Sequence, residues 1–164
     1  SAAAVLTALK VLEYREALGP GQRERVPVPV LLDAAEWSPA RRLADWAADQ
    51  LHAQYPFLGT GRYGADAAAH LVTQGHVALF LDGFDEMRSG LRGDATAEIN
   101  AHATSRVVLF SRTEEFDEAV AGVGRLRGAA VLELSPVTRI AAVEYLAQQR
   151  QGWGRSCGSR SSST

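Results

Sequence analysis

Val77 to Glu86 reads VALFLDGFDE, an uninterrupted apolar run of five residues that stops at Asp82. A strand buried on both faces of a parallel sheet is apolar at every position, whereas a strand with one solvated face alternates. The run therefore predicts a central strand of a parallel sheet. Asp85 and Glu86 follow, so three carboxylates stand within five positions at the end of this strand.

Two further apolar runs extend this prediction along the chain. Val107 to Phe110 is a second buried strand by the same argument, and it ends at Ser111 and Arg112. Val131 to Leu134 is a third and weaker one. Helical stretches separate the runs, and strands that alternate with helices predict an α/β fold with a parallel sheet and right-handed crossovers.

The sequence ahead of Val77 predicts a helix and an edge strand. Apolar residues from Val5 to Leu12 recur at helical spacing, and the Gly-Pro-Gly sequence at 19–21 ends the helix. Val26 to Leu32 is a short apolar run bounded by turn residues. Pro27 and Pro29 each remove a donor from the hydrogen-bond ladder, which favours an edge strand.

Capping residues place the remaining helices. Ser38 followed by Pro39 predicts a helix that runs to about Tyr55, because Ser is a favoured N-cap and Pro a favoured first helical residue. Further helices are expected at 65–74, which Gly75 closes, at 94–101, at 114–121, and from Thr138 to about Gln149.

The composition is that of one ordinary domain. The chain has 164 residues, 46% of them hydrophobic, which is enough to enclose a core over residues 1–150. Residues 151–164 are rich in Gly, Ser and Arg and are expected to be disordered. A net charge of −2 from 17 basic and 19 acidic residues argues against direct nucleic-acid binding. A single cysteine, no signal peptide and no long apolar run predict a cytoplasmic segment with no membrane span.

The ends of the two buried strands carry the polar residues on which a functional prediction depends. In an open parallel sheet, ligands bind beyond the carboxyl ends of the strands. Three close carboxylates repel one another unless a cation relieves the repulsion, and Mg²⁺ shared with substrate phosphates needs only one or two of them. At the next strand end, Arg112 offers a fixed positive charge that can hold a phosphoryl oxygen. These are the parts that phosphoryl transfer requires.

The same residues resemble motifs of a known family. Val77 to Glu86 resembles the modified Walker B motif of NACHT domains, which are P-loop NTPases of the STAND class. Leu109-Phe110-Ser111-Arg112 resembles the sensor 1 strand of that family. Val131 to Tyr145, with Leu134-Ser135-Pro136, resembles the start of its helical extension. The motifs occur in the order that the family shows.

The resemblance implies a signalling switch that binds and hydrolyses ATP, or alternatively GTP, with Mg²⁺ as cofactor. Asp82 would hold the Mg²⁺ through water, while Asp85 and Glu86 would orient or deprotonate the attacking water. Arg112 would sense the γ-phosphate, and Pro136 would lie near the adenine. The resemblance also implies a three-layer P-loop NTPase-like parallel sheet, and self-association of the full-length protein through its NTPase domain.

One part of the family pattern is missing, because G-x-x-x-x-G-K-[ST] occurs nowhere in the chain. We therefore expect a partial domain that lacks the first strand and the phosphate loop, with Ser1 as the last hydroxyl residue of that loop. In the family's sheet the absent strand is central and separates the strand ending at Arg112 from the strand at 131–134. The chain by itself is therefore expected to be inactive as an NTPase and unstable.

Two other functions remain open. Gly59 to Gly64 reads GTGRYG and fits the G-x-G-x-x-G fingerprint, with Asp82 about 20 residues on, a distance that suits an acid binding ribose. A Rossmann-type domain that binds NAD is therefore one alternative. The other is a non-catalytic assembly scaffold, because likeness of fold does not settle activity.

Overall fold

A computed structural model of the chain describes residues 1–60, 62–102, 106–143, 145 and 147. The chain divides into two compact units, Ser1–Ala129 and Ala130–Thr164. This boundary lies ahead of residue 150, where the sequence placed the end of a single domain. The tail at 151–164 and the expected helix end at Gln149 lie outside the described residues.

The first unit is built on a three-stranded parallel sheet. Its strands are β1 (Val28–Asp33), β2 (Val77–Asp82) and β3 (Arg106–Leu109), in the spatial order β1-β2-β3. β1 and β2 pair in register from Val28 opposite Val77 to Asp33 opposite Asp82. The predicted central strand, the predicted edge strand and the parallel direction are thus confirmed.

Helices flank the sheet. The longer ones are α1 (Ala2–Ala17), α3 (Leu43–Gln54), α4 (Ala67–Thr73), α5 (Ser89–Ala101) and α6 (Thr113–Val123), and α2 (Pro20–Arg23) is a single turn. Short 3₁₀ turns occupy Ala34–Glu36, Pro56–Gly59 and Phe84–Glu86. The molecule is therefore α/β, with a small parallel sheet between helices.

The two faces of the sheet carry different layers. Leu79 and Leu81 belong to the main core, which α3, α4, α5 and α6 help to form. Ala78 and Phe80 face the other way and pack with Ala8 of α1. Since side chains alternate along a strand, Asp82 follows Phe80 to the α1 side. The layers therefore direct the last residue of β2 towards the start of α1.

The first helix has the predicted extent but an unexpected orientation. Ala4 and Ala8 are buried against the sheet, whereas Val5, Leu6 and Leu9 are about half exposed, at 46%, 51% and 49%. Small residues at the contact let the helix backbone approach the strands closely. The larger apolar side chains that reveal the helix in the sequence therefore lie on its outer surface.

The predicted start of α3 is wrong. Arg42, not Ser38, is its N-cap residue, and residues 38–41 form a turn closed by a hydrogen bond from Arg41 N to Ser38 O at 2.9 Å. The buried Trp37 anchors this turn, because its indole Nε1 donates to Arg41 O at 2.9 Å. The N–H of Leu43, at the first position of the helix, donates to Glu98 Oε1 of α5 at 3.3 Å. The helix therefore begins where a partner from another element reaches it.

The predicted strand at Val131–Leu134 is also wrong. These residues form no strand and are solvent exposed, and the sheet of the described residues contains only β1, β2 and β3. A short apolar run becomes a strand only where a partner satisfies its backbone, and none pairs with it here. In this second unit, Thr138 does cap a helical segment over 139–143, since its Oγ1 accepts from Ala141 N at 3.2 Å.

Within the described part of the chain, no helix combines the length and the apolar character needed to cross a bilayer.

Candidate functional site

The carboxyl edge of the sheet collects acidic residues. Asp33 and Asp82 are the last residues of β1 and β2 and stand opposite each other in the strand register. Asp85 and Glu86 follow in the turn after β2. The three predicted carboxylates therefore share this edge with Asp33, a fourth acid that was not singled out from the sequence. Its signal was present, because Asp33 also follows directly on an apolar run.

Asp82 contacts the beginning of α1. The Ser1 hydroxyl donates to Asp82 Oδ1 at 2.8 Å, and the α-ammonium of Ser1 forms an ion pair with Oδ2. The same hydroxyl accepts a hydrogen bond from Ala4 N at 3.4 Å and so caps α1. The structure thus brings together two of the predicted site residues that lie 81 positions apart in sequence.

The turn after Asp82 depends on a glycine. Gly83 has φ +74° and ψ +28°, in the left-handed region where a side chain is strained. Phe84 is fully buried, and its N–H donates to Phe110 O at 3.2 Å. That hydrogen bond ties the turn to the end of β3. Together the positive φ and the buried ring place Asp85 beside the residues that follow β3.

Arg112 reaches the acid turn, which is the 3₁₀ turn Phe84–Glu86 with its two carboxylates. Its Nε lies 3.2 Å from Asp85 Oδ2, with the Asp85 side chain 16% exposed and the Arg112 side chain 78% exposed. Arg112 is also the N-cap residue of α6, which fixes the backbone from which the guanidinium extends. The guanidinium is exposed but its partner carboxylate is largely buried, so a move of Arg112 to an anion at the same edge would leave the Asp85 charge without this ion pair.

Arg92 is a second arginine at this turn, and sequence reasoning missed it. It donates from Nη2 to Asp85 O at 2.8 Å and from Nε to Met87 O at 3.1 Å. Its side chain is 13% exposed and pairs with Glu118 at 3.5 Å. Arg92 therefore holds the backbone of the acid turn against α5 and α6. Nothing in its sequence position separates it from the other basic residues of the chain.

The side-chain oxygen atoms of Ser1 and Asp82 are chemically suitable as ligands for Mg²⁺. A hydroxyl and a carboxylate oxygen lie 2.8 Å apart, and Mg²⁺ takes oxygen ligands, commonly one or two carboxylates with waters completing the shell. Among the residues that the structure describes, no group of three or more His, Cys, Asp or Glu side chains could hold a metal. The Ser1 hydroxyl and the Asp82 carboxylate could supply two of the oxygen ligands of a hydrated Mg²⁺.

Pro136, the residue predicted to lie near adenine, belongs to the second unit and is solvent exposed. The geometry of the first unit therefore does not include it.

The GTGRYG stretch lies in a context that does not suit dinucleotide binding. The helix α3 and the 3₁₀ turn Pro56–Gly59 lead into it, whereas the fingerprint needs a buried strand before its first glycine. α3 starts after the carboxyl end of β1 and α4 leads into the amino end of β2, so the stretch falls on the far side of the sheet from Asp82. Gly59 and Gly64 therefore do not share an edge with Asp82.

Comparison of the chain with protein-family models, with curated protein sequences and with solved structures gave no match.

Proposed function

We propose that this chain carries the magnesium and γ-phosphate half of a NACHT-type nucleotide switch that binds and hydrolyses ATP or GTP. One observation carries the proposal: the ends of β2 and β3 and the start of α1 meet at one edge of the sheet. There Ser1 contacts Asp82, and Arg112 contacts Asp85. Phosphoryl transfer depends on such positioning and charge neutralisation.

In this proposal Ser1 and Asp82 hold the metal, Asp82 through a water molecule. Mg²⁺ held there would neutralise the charge of the phosphates. The capped start of α1 contributes as well, since the first N–H groups of a helix point towards an anion at its N-terminus. Residues of this chain thus offer ligands to both the cation and the phosphates that it accompanies.

Asp85 and Glu86 act on water in this proposal. Both carboxylates sit on a turn held by Phe84 and Arg92, so their backbone is fixed. Either carboxylate can accept a proton from a water molecule in line with the γ-phosphate. Arg112 exchanges its contact with Asp85 for one with a phosphate oxygen, which also frees Asp85. Pro136 is assigned to the adenine on the family likeness alone.

Tight nucleotide binding needs a further part, because the chain contains no G-x-x-x-x-G-K-[ST] sequence. Backbone amides and the lysine of such a loop hold the β- and γ-phosphates. The test therefore uses a chain extended ahead of Ser1 by a strand and a G-x-x-x-x-G-K loop, with Ser1 in the hydroxyl position. Its binding of a fluorescent ATP analogue is measured with and without Mg²⁺, and with NAD as competitor.

Saturable binding that requires Mg²⁺ and resists competition by NAD is the expected result. Binding of NAD with none of ATP or GTP would overturn the proposal. The matched control is the same extended chain with Asp82→Asn, which keeps the size of the side chain but removes its charge.

A non-catalytic assembly scaffold is the second candidate. It is favoured by the exposed Val5, Leu6 and Leu9 on α1, an apolar surface that association would cover. Assembly of the extended chain at the same rate with and without nucleotide, and with no hydrolysis, would favour this second function over the first.

A further inference from the structure

Arg92 of α5 is a largely buried cation that contacts the acid turn. Its side chain is 13% exposed, whereas the side chain of Arg112 is 78% exposed. Taking a guanidinium out of water costs free energy unless its N–H groups find acceptors. The acceptors of Arg92 therefore show which part of the molecule this side chain holds in place.

Two of these acceptors are backbone carbonyls on either side of Glu86 in the chain. Arg92 Nη2 donates to Asp85 O at 2.8 Å, and Nε donates to Met87 O at 3.1 Å. Because a guanidinium is planar, its N–H groups point in fixed directions, so the two hydrogen bonds together define one position of the turn. A lysine has a single ammonium group on a flexible stem and cannot reproduce this pair in the same geometry.

Arg92 and Arg112 meet Asp85 in different ways. Arg112 pairs with the carboxylate, whereas Arg92 binds the backbone carbonyl of the same residue. Arg92 Nη1 also lies 3.5 Å from Glu118 Oε2 of α6, the helix whose N-cap residue is Arg112. The contacts of Arg92 do not depend on the Arg112 ion pair. The turn therefore keeps a guanidinium at Asp85 after Arg112 has moved to a phosphate oxygen.

We propose that Arg92 is a positioning residue for hydrolysis, which keeps Asp85 and Glu86 directed at the attacking water while Arg112 is engaged with the γ-phosphate. The role rests on the proposed function, because it serves the hydrolysis assigned there to the two acids. Arg92 acts through the backbone of the turn and not on the nucleotide. It therefore affects the rate of the chemical step and not the affinity for ATP.

The test compares Arg92→Lys with the unaltered sequence in the chain extended ahead of Ser1 by a strand and a G-x-x-x-x-G-K loop. Phosphate release at varied ATP concentration, with Mg²⁺ present, gives kcat and KM. Arg92→Lys keeps the charge and loses the paired hydrogen bonds. It is expected to lower kcat about ten-fold or more and to change KM by less than about two-fold, since a displacement of about 1 Å can cost about 10²-fold in rate.

Two controls separate positioning from general stability. Arg88→Lys changes an exposed arginine at the start of α5 and is expected to leave kcat unchanged. Glu98→Ala removes the acceptor of Leu43 N at the start of α3, away from the acid turn. It lowers stability elsewhere in the molecule, so it is also expected to leave kcat unchanged.

Hydrogen exchange in the 164-residue chain follows the turn without any nucleotide. The amide of Glu86 donates to Gly83 O at 2.9 Å, and the amide of Met87 donates to Phe84 O at 3.2 Å. Both amides are expected to exchange about ten-fold faster in Arg92→Lys, because the turn opens locally more often once its carbonyls lose their donor.

The outcomes distinguish the role of Arg92 from the proposed function. If the unaltered extended chain hydrolyses ATP and Arg92→Lys has the same kcat, the positioning role is overturned and the proposed function stands. An equal loss of kcat in Glu98→Ala, or unchanged amide exchange in Arg92→Lys, also overturns the positioning role alone. Absence of hydrolysis in the unaltered extended chain overturns both.

Discussion

At the scale of single residues, Asp82 combines two positional effects. It ends a strand whose five preceding residues are all buried, so its place at the sheet edge follows from the apolar run. It also lies on the α1 side by strand alternation, which brings it to Ser1. The acid itself could be predicted from the sequence. Its partner could be named only through the family likeness, because a contact across 81 positions has no local signal.

Asp85→Asn combined with Glu86→Gln is expected to leave nucleotide binding unchanged and to slow hydrolysis about 10²-fold or more, the range for loss of a general base. Asp82→Ala is expected instead to weaken Mg²⁺-dependent binding, because it removes the carboxylate beside Ser1. Phosphate release and nucleotide titration in the loop-extended chain measure the two effects. Equal turnover in all variants would show that the acids have no catalytic task.

Gly83→Ala is expected to destabilise the chain by about 1–2 kcal/mol, the cost of a left-handed conformation for a residue with a Cβ. Urea unfolding followed by circular dichroism measures this change. Gly93→Ala is the matched control, because Gly93 is helical and an added Cβ would meet Val123 Cγ2 at an ordinary 3.5 Å. That control is expected to gain up to about 1 kcal/mol. Equal effects of the two substitutions would contradict this account of the turn.

At the scale of secondary-structure elements, sequence reasoning succeeded where one local signal decides the outcome. β2 was recognised by continuous hydrophobicity and β1 by its prolines, and both lie where expected. The start of α3 differs from the prediction because Trp37 holds residues 38–41 in a turn, and because Glu98, which is distant in sequence, accepts from the N–H of Leu43. Val131–Leu134 was misassigned because a strand also needs a partner. The local sequence pattern indicates which secondary structure a segment can form. Contacts with neighbouring elements decide whether that structure forms.

Glu98→Ala is expected to destabilise the chain by about 1 kcal/mol, the usual cost of losing a helix cap. The carboxylate accepts from Leu43 N at 3.3 Å and lies 2.9 Å from His102 Nδ1, so it joins the start of α3 to the end of α5. Glu98→Gln serves as control, because an amide oxygen can still accept from Leu43. Hydrogen exchange at the first turn of α3 should accelerate in the Ala variant only. Identical exchange in both variants would contradict this role.

At the scale of the whole molecule, the first unit leaves apolar surface uncovered. The far edge of β3 has no strand partner among the described residues, and Leu6 and Leu9 of α1 are about half exposed. Unpaired strand edges and apolar patches are sites of association. The open edge of β3 could be predicted from the resemblance to NACHT domains, because that resemblance implies a further strand beside β3. The outward face of α1 could not be predicted, since apolar residues at helical spacing usually mark the face that packs inward.

The 164-residue chain is therefore expected to self-associate at micromolar concentration. Analytical ultracentrifugation tests this, and Leu6→Glu with Leu9→Glu should shift the distribution towards monomer. Thr7→Glu, which adds charge at an exposed polar position of the same helix, should not. The loop-extended chain should also associate less, because its added strand covers the β3 edge. Reversible, cooperative thermal unfolding of the 164-residue chain as a monomer would contradict the expectation.

The proline of β1 has a consequence for any such association. Val28 N–H points inward to His76 O at 2.9 Å, so Pro29, one residue on, faces outward and offers no donor there. The β1 border of the sheet is therefore less suited to strand addition than the β3 border. Two chains joined through their β3 edges would both present the edge that carries Pro29 outward, which disfavours growth of the sheet beyond a pair.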